Sequence, residues 1–285
     1  MNLDRALHKS ALVLAKNGIE DSHTEARLLL GRVTNLSQVQ IYTQLEQTLS
    51  TDEEDRLNEL LVRRIKREPS AYILNHKEFY GIDFYVDSRV LIPRPETELL
   101  VDAALEYARN RSPYLKRPLL VADIGTGCGA IAICLALNSP DSKIYAIDIS
   151  PSALEVAALN CRRQRVTEQV NLLAGDLLQP LPEPVDLIVA NLPYVKNSDI
   201  PDLNPEVAGF EPRAALDGGD RGLDCIERLL QQAETRIIAG GCLFIEIGQG
   251  QEEEIGQLIR QYFKDATSSL ARDYNGTNRV IKIAL

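Results

Sequence analysis

Two short segments place reactive groups where strands end. Gly125-Thr126-Gly127-Cys128-Gly129 follows the apolar run Leu119–Ile124, and Asn191-Leu192-Pro193-Tyr194 follows Val185–Ala190. Alternating glycines let a backbone turn tightly and approach a ligand closely. Taken alone, Gly125, Gly127 and Ala130 also fit the dinucleotide pattern G-x-G-x-x-[GA], so the loop leaves its ligand open. Asp123 stands just before the first glycine, where a carboxylate repels a pyrophosphate and attracts a cationic amino acid or sulfonium. Asp148 closes the next apolar run, the position that reaches ribose hydroxyls in a doubly wound sheet. It could instead cap the following helix, a task open to Ser150 and Ser152. After Val170–Ala174, Asp176 could accept from an adenine amino group and Leu177 could cover the ring. An aspartate at a strand end is common, so this pair counts only beside the others.

The tetrapeptide separates the readings. Ligands of such sheets bind at the carboxyl ends of strands, so Asn191–Tyr194 faces the same crevice as the glycine loop. The constellation resembles the amino-methyltransferases that act on planar nitrogens through an Asn/Asp-Pro-Pro-Tyr motif. An amide nitrogen is a poor nucleophile because its lone pair is delocalised into the carbonyl. Two acceptors gripping its N–H bonds, Asn191 Oδ1 and the Leu192 carbonyl, would polarise and aim it by positioning and electrostatics rather than by a strong base. Pro193 would fix the backbone, Tyr194 would pack against the acceptor, and Asn191 would also border the cofactor.

These segments need a scaffold, and the chain spells one out. The apolar runs Leu119–Ile124, Lys143–Ile147, Val170–Ala174, Val185–Ala190 and Cys242–Ile247 alternate with helical patterns over about 129–138, 152–164, 223–238 and 251–262. Such alternation predicts a mostly parallel sheet covered on both faces. Two strand-like segments, Ala266–Ala271 and Arg279–Ile283, close the chain around the turn Asp273–Asn278 and make the sheet a mixed, seven-stranded one. The first eighty or so residues read as helices, with Leu3, Leu7, Leu12 and Leu14 on the face of the first. Capping boxes are expected at Ser22–Glu25 and Thr51–Glu54, and Leu57, Leu60, Leu61 and Ile65 form an apolar stripe. Phe79–Val86 around Gly81 suggests a hairpin, and Leu91–Glu96 is too proline-rich for regular structure. The expected division is a helical domain over 1–75, a hairpin and proline-rich linker over 76–95, and a catalytic domain over 96–285.

Composition bounds the function. With 285 residues, 45% hydrophobic and 25% charged, a core of ordinary size is available. No run of eighteen apolar residues suggests a membrane span, and the charged N-terminal stretch does not read as a secretory signal. Cys128, Cys134, Cys161, Cys225 and Cys242 include no CxxC pair, so no metal site is expected, and reduced thiols suit a cytoplasmic protein. His8, His23 and His76 all precede the catalytic region and receive no role. The net charge of −10 argues against direct nucleic-acid binding, although Leu61–Glu68 holds a local basic run.

With these residues read, the chain resembles the release factor glutamine methyltransferases of the PrmC/HemK family. The resemblance spans essentially the whole chain and includes Ile92-Pro93-Arg94-Pro95-Glu96-Thr97-Glu98 and Phe210–Gly219. It implies a class I Rossmann-like methyltransferase core, S-adenosylmethionine as donor with S-adenosylhomocysteine as product, and methylation of the glutamine in the Gly-Gly-Gln loop of peptide chain release factors. It also implies that the helical domain helps dock that protein. By position, Gly125–Gly129, Asp148 and Leu177 line the cofactor, Asn191–Tyr194 hold the glutamine, and Ile92–Glu96 lie over the methionine end. The family usually has proline where Leu192 stands, and Asn-Leu-Pro-Tyr is similar to the motif of rRNA adenine dimethyltransferases. RNA adenine methylation is therefore the first alternative. The others are a binding module that has lost turnover and a dehydrogenase, which Asp123 and the lack of a proton-transfer partner disfavour.

Overall fold

A computed structural model describes residues 1–285, which fold as two compact units. One unit comprises Met1–His76 with Asn204–Phe210; the other comprises Lys77–Leu203 with Glu211–Leu285.

The helical unit contains α1 (Leu3–Lys16), α2 (Ser22–Thr34), α3 (Gln38–Thr43), α4 (Thr51–Ile65) and α5 (Ser70–Leu74). Leu3, Leu7, Leu14, Leu29, Leu30 and Leu57 form its core, whereas Leu12 is exposed, because it falls off the α1 stripe. Of the two expected capping boxes, one does not form and the other is shifted. At α2 the N-cap is Asp21 in the left-handed region, with no side-chain cap, and Glu25 instead takes Arg64. At α4 the box is Ser50 with Glu53, one residue earlier than the sequence reading places it.

The second unit opens with a hairpin, β1 (Lys77–Phe79) and β2 (Ile82–Phe84). Tyr80 and Gly81 both have positive φ (56° and 71°), the mirror-image turn that matches strand twist. Tyr80 is fastened to the next helix, α6 (Glu98–Arg111), by its N–H on Glu98 and its hydroxyl on Asp102. The sequence reading missed α6. Leu100, Ala104 and Ala108, with Val101 and Leu105, make a proper buried stripe, but the prolines at 93 and 95 mask its start. Pro95 in fact begins a short 3-10 turn, Pro95–Thr97, leading into α6.

The sheet follows. Its elements are β3 (Leu119–Ile124), α7 (Ala130–Asn138), β4 (Ser142–Asp148), α8 (Pro151–Gln164), β5 (Val170–Ala174), β6 (Val185–Ala190), α9 (Pro205–Phe210), α10 (Asp224–Ala233), β7 (Ile237–Glu246), α11 (Glu252–Tyr262), β8 (Thr267–Arg272) and β9 (Asn278–Ala284). The strand order is β5-β4-β3-β6-β7-β9-β8, with β9 antiparallel to both neighbours. Every residue of β3 and β6 is buried, as expected of central parallel strands read as unbroken apolar runs. The helix expected over 223–238 ends at Ala233; Ile237 pairs with Val185 and starts β7, whose register with β6 shifts before the Leu187–Cys242 pair, across a stretch that holds Gly240 at positive φ. α9 is a second departure: it lies in the chain between two core elements yet clusters with the helical unit.

Candidate active site

The sheet reverses its winding at β3, which pairs with β4 on one side and β6 on the other. Ile124 is the register partner of Ala190, so Gly125 and Asn191 leave the sheet side by side. A Cβ on Gly125 would lie 3.2 Å from Leu192 Cδ2 and 3.5 Å from the Asn191 carbonyl oxygen, so the two loops tolerate little there beyond glycine. Gly125, Gly127 and Gly129 all have positive φ (73°, 55°, 84°), which carries the chain over the strand end and into α7. The Gly125 and Thr126 amides donate to the Ile147 carbonyl, and Gly127 N–H donates to Asp148 Oδ2 at 2.8 Å.

Above this crossing lies a cleft of about 310 Å³. Gly125, Gly127, Asp148, Asp176, Leu177, Asn191, Leu192 and Pro193 line it, as the sequence reading places them, together with Arg228. Its walls are Arg89–Leu91 and the segment with Pro212, Ala214 and Ala215. The expected wall at Ile92–Glu96 is therefore shifted. Ile92 and Pro93 are buried, and Glu211 pins the strap by accepting from Ile92 N–H and Arg94.

Other predicted residues support the cleft from behind. Asp123 is fully buried; one oxygen accepts from Thr126 Oγ1 (2.6 Å) and Ala132 N–H (3.1 Å), while Oδ1 has no partner. Burial pushes its carboxyl up to about 7. Cys128 is buried and its thiol is pushed up to about 12 by the same cause, so its side chain packs rather than reacts. Gly129 is packed against Ile133 and Ala157. Asp148 does not cap α8; Ser150 does, accepting from Ala153 N–H. Asp148 takes the Gly127 and Ser150 amides, and burial raises its pKa. Asp176 accepts from Arg228 and, at 3.3 Å, from Gln179. Leu177 is held at φ 52°, a left-handed conformation that turns its buried side chain under the cleft.

Three supporting side chains escape a sequence-only reading. Asn191 Nδ2 donates to Thr97 Oγ1 (3.0 Å), which donates to Glu246 Oε2 (2.6 Å). Tyr194 turns away from the cleft, and its hydroxyl donates to Glu246 Oε1 at 3.3 Å. Gln251 Nε2 holds the Tyr194 carbonyl (3.0 Å) and the Gly222 carbonyl (3.1 Å). The segment that follows Ala215 packs against the same tetrapeptide. Val195 bridges to Asp217, and a Cβ on Gly218 or Gly222 would strike the Pro193 or Tyr194 carbonyl at 2.7 or 2.4 Å. The Leu192 carbonyl takes part in none of these backbone contacts. The only signal for Glu246 is a carboxylate inside the apolar run Cys242–Ile247, a charge that must find a partner when buried.

A glycine cradle at the switch point, an acidic residue ending the second parallel strand and a closing antiparallel β8–β9 pair define a class I methyltransferase core. The backbone agrees with solved methyltransferases. A methyltransferase from Pyrococcus furiosus matches with TM-score 0.51, 18% identity, 73% of this chain and 90% of that one. The hMettl16 catalytic domain, solved with a 3'UTR hairpin, matches with TM-score 0.57, 12% identity, 88% of this chain and 86% of that one. At such identities they speak for the fold alone.

The particular family comes from sequence. Residues 5–74 match the PrmC N-terminal domain, and residues 112–204 the methyltransferase small domain. The release factor glutamine methyltransferase of Geobacter sulfurreducens is 39% identical over 270 residues, covering 94% of this chain and 91% of that protein. Those of Moorella thermoacetica (39%; 98% and 97%) and Bacillus anthracis (33%; 99% and 98%) match over nearly their full lengths. The chain belongs to the release factor glutamine methyltransferase family.

Proposed function

We propose that this chain transfers a methyl group from S-adenosylmethionine to the side-chain amide nitrogen of the glutamine in the Gly-Gly-Gln loop of peptide chain release factors, in the cytoplasm. One observation carries the reading: Asn191 spends its NH₂ on Thr97, which leaves Oδ1 for the cleft directly beside the glycine cradle. The residues present fit the donor. Gly125 and Gly127 admit a close ligand, Asp148 offers a carboxylate to ribose hydroxyls, and Asp123, buried behind the glycine loop with one oxygen unpartnered, would attract a cationic group above it. Asp176 and Leu177 form the adenine end.

S-Adenosylmethionine supplies a methyl carbon activated by its sulfonium. The protein's part is to hold the acceptor. Asn191 Oδ1 and the Leu192 carbonyl each accept one N–H of the glutamine amide, which fixes the nitrogen and draws electron density toward it; one of these two protons leaves to water as the nitrogen is methylated. Pro193 stiffens the turn, and Gln251 with Gly218 and Gly222 keeps its carbonyls from drifting. The clamp uses the Leu192 backbone, while its side chain is buried against Gly125. Leu192→Pro therefore keeps turnover within about tenfold of wild type and costs about 1–2 kcal/mol of stability through lost packing. Paired denaturation and rate measurements check this; an inactive but folded variant would assign the Leu192 side chain or N–H a role.

Asp123 gives a pH dependence with a definite sign. A nearby cation favours its carboxylate, and protonation below about pH 7 removes that attraction. Affinity for S-adenosylmethionine should fall as pH is lowered from about 8 to about 6, and Asp123→Asn should flatten the curve. Calorimetry across that range reads it; an unchanged slope in the variant sets Asp123 aside.

A protein acceptor is also supported by the fate of the basic run. Arg63 pairs with Glu68, and Arg64 is buried between Glu25 and Glu206, with Arg67 also on Glu206. These charges are spent inside the helical unit and leave little of the free stripe that phosphate binding uses. The test is methyl transfer from labelled S-adenosylmethionine to a purified bacterial release factor and, separately, to structured RNA. Label on the release factor that disappears with a Gln→Ala substitution in its loop supports the proposal; label confined to RNA would replace it with the adenine reading.

A further inference from the structure

The amide of Asn191 can face the cleft with either end. Only Oδ1 can grip an N–H, so something must choose the orientation. We infer that Thr97 and Glu246 make that choice: they are positioning residues that lock the Asn191 amide with its oxygen toward the acceptor. The inference rests on the proposed role of Asn191 and adds to it residues outside the Asn191–Tyr194 segment.

The logic is one of proton count. Thr97 is 4% exposed and Glu246 1%, so solvent does not supply alternative partners. A hydroxyl has one proton to give. A carboxylate has none, so at 2.6 Å the proton between Thr97 Oγ1 and Glu246 Oε2 belongs to the threonine. Thr97 therefore turns a lone pair toward Asn191, and only the NH₂ end satisfies it, at 3.0 Å. The reversed amide would set two acceptors face to face without a proton, a buried mismatch that costs about 1–3 kcal/mol. Glu246 keeps this direction only while it is charged. Burial raises its pKa, but the Thr97 and Tyr194 hydroxyls and the charge of Arg279 on β9 favour the carboxylate against Glu96.

The geometry also explains why the device sits where it does. Ile245 is the register partner of Ala190, so Glu246 ends β7 beside Asn191 at the end of β6. Thr97 descends on the pair from the turn that starts α6. The proline-rich strap thus joins the cleft wall at Arg89–Leu91 to the hydroxyl that holds Asn191. Tyr194 occupies the second Glu246 oxygen, which keeps that carboxylate from rotating away.

Thr97→Val keeps the shape and removes the hydroxyl. It should lower kcat about tenfold or more, while KM for the release factor and the calorimetric affinity for S-adenosylhomocysteine stay within about threefold of wild type. Thr97→Ser, which restores the hydroxyl, should return kcat to within about threefold; Thr97→Ala carries the same expectation as valine should valine not be accommodated. A role in stability alone would predict unaltered kcat in whatever fraction of Thr97→Val binds S-adenosylhomocysteine, and that result would overturn the inference. Failure of serine to recover the rate would overturn it too. Asn191→Ala, assayed in parallel, separates the levels. Wild-type turnover there removes the clamp itself, and the lock with it; a slow Asn191→Ala beside a fast Thr97→Val removes only the lock.

Discussion

Asn191→Ala is expected to lower turnover on a release factor by about a hundredfold or more while leaving S-adenosylmethionine affinity within about threefold. Loss of one preorganised polar partner at a reacting centre has that magnitude in comparable sites. The separation of the two effects follows from the geometry. Asn191 borders the cleft, but its own hydrogen bond goes to Thr97, and the residues proposed for the donor's adenosine half, Asp148, Asp176 and Leu177, end or follow other strands. Single-turnover rates and calorimetry on the same preparation read both quantities. Wild-type turnover would remove Asn191 from the reaction; a collapse of affinity equal to the loss of rate would make it a cofactor residue instead.

The second large effect is expected at Asp148. Asp148→Ala should weaken S-adenosylmethionine binding by about tenfold to a hundredfold, the value of one or two hydrogen bonds to a charged group. The carboxylate does two jobs: it faces the cleft, and it holds the Gly127 and Ser150 amides at 2.8 and 2.9 Å. Removing it frees the glycine loop and takes away the proposed ribose acceptor together. The fold should survive, because Ser150 and not Asp148 caps α8. Asp148→Asn should fall between the two, since it can still accept but carries no charge. Titration by calorimetry decides; affinity unchanged in the alanine variant would mean that the nucleoside lies elsewhere.

The parts of this molecule that were legible in its sequence are those with a local signature. β3 and β6 are runs of six buried residues, and the sequence marks their bounds to the residue. The glycine loop and Asn191–Tyr194 were readable because both are defined by what the backbone must do just past a strand end. What escaped is long-range or competes with a nearby signal. The Thr97–Glu246 contact joins residues 149 apart, and nothing near either one announces the other. Tyr194 was placed in the motif and expected against the acceptor, but it does not line the cleft, and its hydroxyl goes to Glu246 at the end of β7. Ser50 and Thr51 both resemble N-caps, and only the backbone conformation selects Ser50. Ile237 and Ile238 continue the apolar pattern of α10, so a helix and a strand compete for them until β6 supplies a partner.

Ile92–Glu96 shows the same limit from another side. Its composition marks it as irregular, and irregular it is, yet the part that meets the cleft is Arg89–Leu91. The reason is the buried carboxylate of Glu211, which takes the Ile92 amide and the Arg94 guanidinium and turns that stretch inward. A carboxylate more than a hundred residues away thus holds the stretch after Leu91 while Arg89–Leu91 line the cleft.

The position of the glutamine amide decides whether the clamp exists. A crystal structure of the protein with S-adenosylhomocysteine and a release factor would measure it directly. The prediction is that the glutamine Nε2 lies within about 3.2 Å of both Asn191 Oδ1 and the Leu192 carbonyl, with Asn191 Nδ2 still on Thr97. A glutamine nitrogen held by other groups, or an Asn191 side chain turned away from it, would contradict the clamp.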